Sequence, residues 1–265
     1  MIVHNFDPVL VDFGIVQIRW YSLAYVFGIL AGWWYGKNII KKQITDTKQK
    51  NYTENFDDLI GYIIIGVIVG GRLGYVFFYN PVYYFENLLE IFKLWKGGMS
   101  FHGGLVGVIL STYIFAKTKK LSCGVYFDTI SCVAPIGIFL GRIANFINSE
   151  LYGTPTEKPW GIIFPKIDNV SRHPSQIYEA LLEGIALFVI LNFVVGKKNF
   201  SHGSISLLFL ILYGIFRIIS EQFRQPDEHM GYIFGYLSMG SALSAIMIIV
   251  GALFLSRLIY NEKNR

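Results

Sequence analysis

Residues Cys123 to Asn148 read CGVYFDTISCVAPIGIFLGRIANFIN, and over this length the only formal charges are Asp128 and Arg142. A helix that crosses a bilayer needs about 20 consecutive, predominantly apolar residues, so the stretch reads as a membrane span. The same pattern recurs on both sides of it. Upstream blocks run from about Ile15 to Gly36, from about Leu59 to Tyr79, and from the Gly103-Gly104 pair to Lys117. Downstream blocks run from about Ile177 to Val195, Ser204 to Phe223 and Gly235 to Ile259. The segment VYYFENLLEIFKLW after Asn80-Pro81 is amphipathic and aromatic, and reads as an interfacial helix. The expectation is an all-α, polytopic integral membrane protein with about seven transmembrane helices, forming one domain over residues 1–265.

Composition agrees. Hydrophobic residues make up 53% of the 265, aromatics 17% and charged residues 15%, against about 25% charged in soluble domains. Mean hydropathy is +0.46. Disorder, a fibrous repeat and a disulfide scaffold are excluded. Cys123 and Cys132 are nine residues apart, about 13 Å along a helix, too far for a disulfide, and read as packing residues. The opening MIVHNFDPVLVDFG has no lysine or arginine, so no cleavable secretory signal is expected.

A net charge of +5 and a pI near 9.0 raise the question of nucleic acid. The distribution argues against it. The loops at residues 37–50, 117–120 and 197–198, with the tail, hold thirteen basic residues, and the alternate loops hold six. The positive-inside rule makes the first set cytoplasmic, which puts the N-terminus outside and the C-terminus in the cytoplasm.

Charges at span level are expensive, about 2.5–3.5 kcal/mol each at the centre on insertion scales. On this topology they gather toward the outer leaflet. Arg142, Asn145 and Ser149 share a helical face by i, i+3, i+7 spacing, with Gly141 and Ala144 small enough for close packing. Tyr213, Arg217, Glu221 and Arg224 form a second stripe. Two arginines on inward stripes suit a two-pronged phosphate contact; the structural alternatives are snorkelling or pairing of Arg142 with Glu150, and an Arg217–Glu221 pair. His102 precedes Gly103 and Gly104, which would let another group approach the imidazole, a possible general base. Tyr21 opens the first block. Glu179 and Glu183, four apart in an apolar context, repel unless one is protonated or paired with an arginine from another span, and structural pairing is expected of them rather than catalysis. Arg72, in Gly70-Gly71-Arg72-Leu73-Gly74, is a secondary anion-site candidate. No HExxH, CxxC or P-loop is present, and the histidines are scattered singly.

Taken together, these residues resemble the bacterial phosphatidylglycerol–prolipoprotein diacylglyceryl transferase family. The likeness runs over nearly the whole chain: Arg19-Trp20-Tyr21, the Gly70 to Tyr75 run, the Gly97 to Gly104 run, the Gly141 to Gly153 stretch, Arg172-His173-Pro174-Ser175-Gln176 with Tyr178-Glu179, and Arg217 through Asp227. Each motif alone is weak; their order and spacing are specific. The resemblance implies transfer of a diacylglyceryl group from phosphatidylglycerol to the thiol of a lipobox cysteine in a prolipoprotein signal peptide. The products are a thioether and glycerol 1-phosphate, and the step is the first in bacterial lipoprotein maturation. It further implies the bacterial cytoplasmic (inner) membrane, a site toward the outer leaflet, and no metal, organic cofactor or nucleic acid.

On that reading Arg142 and Arg217 stabilise the leaving phosphate, Asn145 and Tyr213 position the headgroup, and His102 is the base. Tyr21 and Glu221 orient the donor or the arginines. Glu150, Gly153, Gly103, Gly104 and Arg72 form the rim or support. The chain departs from the family in two places: the segment Leu151 to Arg172 is compact, and Ser149 stands where glycine is frequent. The rival classes are a transporter, which would need polar groups continuing inward, and a structural subunit, which would tolerate Arg142→Lys.

Overall fold

The computed structural model describes residues 2–14, 17–45, 47–197, 200–225, 232–233 and 237–264, with the side chains of Lys96, Phe101, His102, Tyr232, Ile233 and Leu237 outside the description. It is an antiparallel bundle of long helices: α1 (Trp20–Gln43), α2 (Gln49–Phe78), α4 (Phe101–Thr118), α5 (Cys123–Asn148), the continuous span Ser175–Val194, α8 (Ser204–Glu221) and α9 (Met239–Lys263). A short helix α3 (Pro81–Glu86) and two 3-10 turns fill the interfacial segment. The span Ser175–Val194 is α6 (Ser175–Glu179), a π-helical segment Ala180–Ala186 and α7 (Leu187–Val194). Among the described residues, five helices are long and apolar enough to cross a membrane by themselves. The other two long helices are α1, whose basic residues Lys37, Lys41 and Lys42 enter its last turns, and α4, whose apolar part Gly103–Thr118 is shorter.

Apolar side chains gain little from burial against other helices when the alternative is lipid, so close packing and polar pairs hold such a bundle. The α2–α4 seam is a case of close packing. A methyl on Gly70 would sit 2.9 Å from Gly107 Cα, and one on Gly74 would sit 2.7 Å from Gly103 Cα. This corrects the reading of Gly103 as room for a ligand: its missing side chain admits the backbone of α2. Gly104 makes only ordinary contact with Val67, and Gly141 faces open space rather than a helix.

The two ends of the bundle differ in chemistry. At the end carrying the basic loops, Ile40, Tyr52, Phe56, Leu59, Phe115, Val125 and Tyr126 form a buried core, and a second one continues through Ile39, Cys132, Leu187 and Leu191. Buried Asp128 of α5 accepts from the N–H groups of Gly203 and Ser206, both at 2.7 Å, and so caps α8 from a neighbouring helix. At the opposite end the helices converge on charge. Strand β1 (Ile2–Val3) pairs parallel with β4 (Ile162–Ile163), which pairs antiparallel with β5 (Ser171–Arg172). Strands β2 (Val9–Asp12) and β3 (Gln17–Arg19) form a hairpin leading into α1, and β6 (Tyr232–Ile233) pairs with β7 (Leu237–Ser238).

Candidate functional site

The charged end is built by three helices. Glu179 and Glu183 are one turn apart on the Ser175–Val194 span, at and inside the junction where α6 passes into the π segment, and both are fully buried. π turns inside α-helices are frequent at functional sites. Each carboxylate bridges the same two arginines. Glu179 places Oε2 2.9 Å from Arg142 Nε and Oε1 2.9 Å from Arg217 Nη1. Glu183 places Oε2 3.1 Å from Arg142 Nη2 and Oε1 3.5 Å from Arg217 Nη1. Ser220 Oγ lies 3.2 Å from Glu183 Oε1, and its one hydrogen is shared with the carbonyls of Phe216 at 2.9 Å and Arg217 at 3.2 Å.

Arg217 reaches Glu221 through Nη2 at 2.7 Å, and Arg224 Nη1 lies 3.8 Å from Glu179 Oε1. Among the described residues, three arginines and three glutamates thus make one cluster whose formal charges cancel. Buried charges persist when paired and hydrogen-bonded in this way.

The two arginines therefore meet, but through carboxylates held between them. Pairing of Arg142 with Glu150 is not what forms. Glu150 instead accepts from Asn145 Nδ2 at 3.1 Å and Asn148 Nδ2 at 3.2 Å. The Arg217–Glu221 pair does form, as one link of the larger cluster. Tyr213 is buried, stacks on Phe209 at 5.6 Å, and lies within electrostatic reach of both arginines and both glutamates. Among the described residues Tyr21 has no hydrogen bond to either arginine; its hydroxyl accepts from that of Tyr25 at 3.4 Å, and Tyr25 lies within electrostatic reach of Arg142 and Glu150. The side chain of His102 is outside the described residues; its backbone begins α4, where Ser100 Oγ accepts from Gly103 N at 3.2 Å.

Arg72 corrects the secondary anion-site reading. All its N–H groups are directed at backbone: Nε donates to Ile91 O at 2.8 Å, Nη2 to Glu90 O at 2.6 Å and Lys93 O at 3.3 Å, and Nη1 to the carbonyls of Gly97 and Gly98. A guanidinium with its fork filled by carbonyls clamps the interfacial segment and has no capacity left for phosphate.

The rim is a turn stitched on both sides. Ser149 ends α5 at φ +60°, a left-handed position that favours glycine, the residue frequent there in the family. Gly153 N donates to His173 O, Thr154 N to Phe223 O and Gln225 N to Tyr152 O. A methyl on Gly153 would lie 2.6 Å from Phe223 O, so the strand can run there only with glycine. Gln176 Nε2 and Ser175 Oγ reach the carbonyls of Glu150 and Leu151. Arg172 donates to both oxygens of Asp168, which holds that carboxyl below the usual carboxylate range.

His4, read from sequence only as a scattered histidine, pins this turn. Its ring lies among Phe6, Phe146 and Phe164, 4% exposed, with Nδ1 3.2 Å from Ser149 Oγ. Burial, with the Lys166 ammonium acting the same way, pushes the imidazole below its ordinary value. The unfolded chain then binds the proton more readily than the fold does. The His4 contribution is complete above about pH 6.5 and is lost as the pH falls below it. Thermal unfolding of the detergent-solubilised protein between pH 7.5 and 5 is expected to show a falling midpoint, and His4→Gln to flatten that slope. An equal slope in the variant would assign the effect to the other histidines.

The chain matches the prolipoprotein diacylglyceryl transferase family over residues 8–257. It is 49% identical over 260 residues to a protein of Rickettsia typhi named phosphatidylglycerol–prolipoprotein diacylglyceryl transferase, covering 97% of this chain and 99% of that one. A protein of the same name from Rickettsia bellii is 50% identical, with 93% of each chain covered. One from the Wolbachia of Culex pipiens is 47% identical, with 94% of each covered. A match of this extent, on a helical bundle whose spans converge on paired arginines, places the chain in the prolipoprotein diacylglyceryl transferase family.

Proposed function

We propose that the charged cluster is where this chain carries out the reaction for which its relatives are named, the transfer of a diacylglyceryl group from phosphatidylglycerol to a prolipoprotein. The observation that carries the assignment to this place is the joining of Arg142 and Arg217, from two different helices, through Glu179 and Glu183. The thiol sulfur of a lipobox cysteine attacks the glycerol carbon that bears the phosphate. The sulfur–carbon bond forms, the carbon–oxygen bond breaks, and the electron pair leaves with the phosphate oxygen of glycerol 1-phosphate. Developing charge on that oxygen is what preorganised cationic donors stabilise, and this is the role of Arg142 directly and of Arg217 through the carboxylates that the two share. A free thiol has a pKa near 8.5, so its proton needs an acceptor. His102, whose backbone opens α4 at the same end of the bundle, is the candidate. Asn145, Glu150 and Gly153 shape the turn beside the headgroup, and Tyr213 lines the cluster.

The reading includes seven spans, counting α1 and α4 with the five helices that qualify alone. The basic ends of α1, α4 and α9 face the cytoplasm and the charged cluster faces the outer leaflet of the bacterial inner membrane. Residues 1–265 act as one domain in the bilayer. The test is reconstitution: purified protein with phosphatidylglycerol and a lipobox peptide is expected to yield diacylglyceryl peptide and glycerol phosphate in equal amounts. Folded protein giving neither product would contradict the reading.

A further inference from the structure

We infer that Glu179 and Glu183 are positioning residues for the donor lipid: by occupying one edge of Arg142 they aim its other edge at the lipid phosphate. This rests on the functional reading above. A guanidinium has two edges that match a phosphate or carboxylate, the side-on edge of Nε with Nη2 and the end-on edge of Nη1 with Nη2. On the side-on edge of Arg142, Nη2 donates to Glu183 Oε2 at 3.1 Å, and Nε lies 2.9 Å from Glu179 Oε2 as an ion pair. Nη1 has no partner among the described residues, and the second hydrogen of Nη2 lies on the same end-on edge. Arg217 is spent differently. Three carboxylates engage it: Nη1 serves both bridging glutamates and Nη2 serves Glu221. Its side chain is 10% exposed, against 16% for Arg142. The two arginines are thus not equivalent: Arg217 fixes the carboxylates, and the carboxylates fix Arg142.

Charge balance gives the same division. Among the described residues the formal charges of the cluster cancel, so carboxylates hold its arginines in place before the lipid arrives, and an incoming phosphodiester meets a donor already oriented. Glu183 is held on every side: by Arg142 from α5, by Arg217 and Ser220 from α8, and by its neighbour Glu179 through the shared arginines. Glu221, the outermost carboxylate, abuts Gly240 of α9 and takes no part in aiming Arg142.

A residue that only stabilises the fold lowers the active fraction and leaves KM alone. A residue that aims the phosphate fork changes KM for the lipid and leaves KM for the acceptor peptide unchanged. In mixed micelles, Glu183→Gln is expected to raise KM for phosphatidylglycerol roughly tenfold, the value of one charge-assisted hydrogen bond, with the peptide KM within twofold of wild type. Glu183→Asp, which keeps the charge but withdraws it by one methylene, gives a smaller shift of the same sign. Ser220→Ala, which removes the hydroxyl shared between Glu183 and the carbonyls of Phe216 and Arg217 and favours the helix, raises the lipid KM about threefold. Folded Glu183 variants with unchanged lipid KM overturn the inference. So does failure of both to fold together with an unchanged KM in Ser220→Ala, because the carboxylate is then purely structural. Absence of turnover in the wild-type protein would instead remove the functional reading beneath it.

Discussion

Arg142→Lys is expected to lower turnover about 100-fold or more, close to the loss in Arg142→Ala. Removal of a single preorganised donor to a developing oxyanion costs about 10²–10³ in rate. Lysine keeps the charge, so a site that needed only a positive field would retain most of its activity. Arg142 does more than supply a field. It pairs with Glu179 through Nε and donates to Glu183 through Nη2, while Nη1 has no partner among the described residues. An ammonium is a point donor on a flexible stem and cannot hold two carboxylates in one plane with a fork directed elsewhere. Initial rates of glycerol phosphate release, measured beside thermal midpoints, check this. A lysine variant with more than a tenth of wild-type activity would show that geometry at this position is not needed.

Arg217→Ala is expected to act on stability first. The side chain neutralises Glu179, Glu183 and Glu221, the first two with no exposure at all. Breaking a buried ion pair from one side costs about 3–5 kcal/mol, because the partner charge is left uncompensated. Here three carboxylates lose a partner at once, and Arg142 and Arg224 remain to hold only part of the set. The variant is expected to melt well below the wild type in detergent, and Glu221→Gln added to it to recover part of the loss. A single variant melting with the wild type would mean that the cluster contributes nothing to holding α5, the Ser175–Val194 span and α8 together.

The spans were legible because a bilayer demands long apolar runs, and the runs at residues 123–148 and 204–221 came out almost at their structural limits. Arg142 and Arg217 were legible as site candidates because a charge in such a run needs a reason. What the spacing could not give was the partner. Glu179 and Glu183 were visible as a like-charged pair on one face, yet their division of two arginines depends on how α5 and α8 flank them. The π segment at Ala180–Ala186 leaves no mark in its residues ALLEGIA. Gly103 was misread because a glycine beside a histidine looks the same whether it admits a ligand or another helix. Arg72 was misread because a backbone carbonyl has no sequence identity. His4 was missed because the strand pairing that brings it to Ser149 joins residues more than a hundred positions apart.

The most direct measurement is a structure of the protein with phosphatidylglycerol bound and no acceptor peptide present. The expected result places a phosphate oxygen within about 3 Å of Arg142 Nη1, at the end of the bundle where α5 finishes and α8 finishes, with Glu179 and Glu183 still on the side-on edge. A phosphate seated instead at the opposite end, in the roughly 250 Å³ cavity beside Lys42, Lys197 and His202, with Arg142 unmoved and unliganded, would contradict the account.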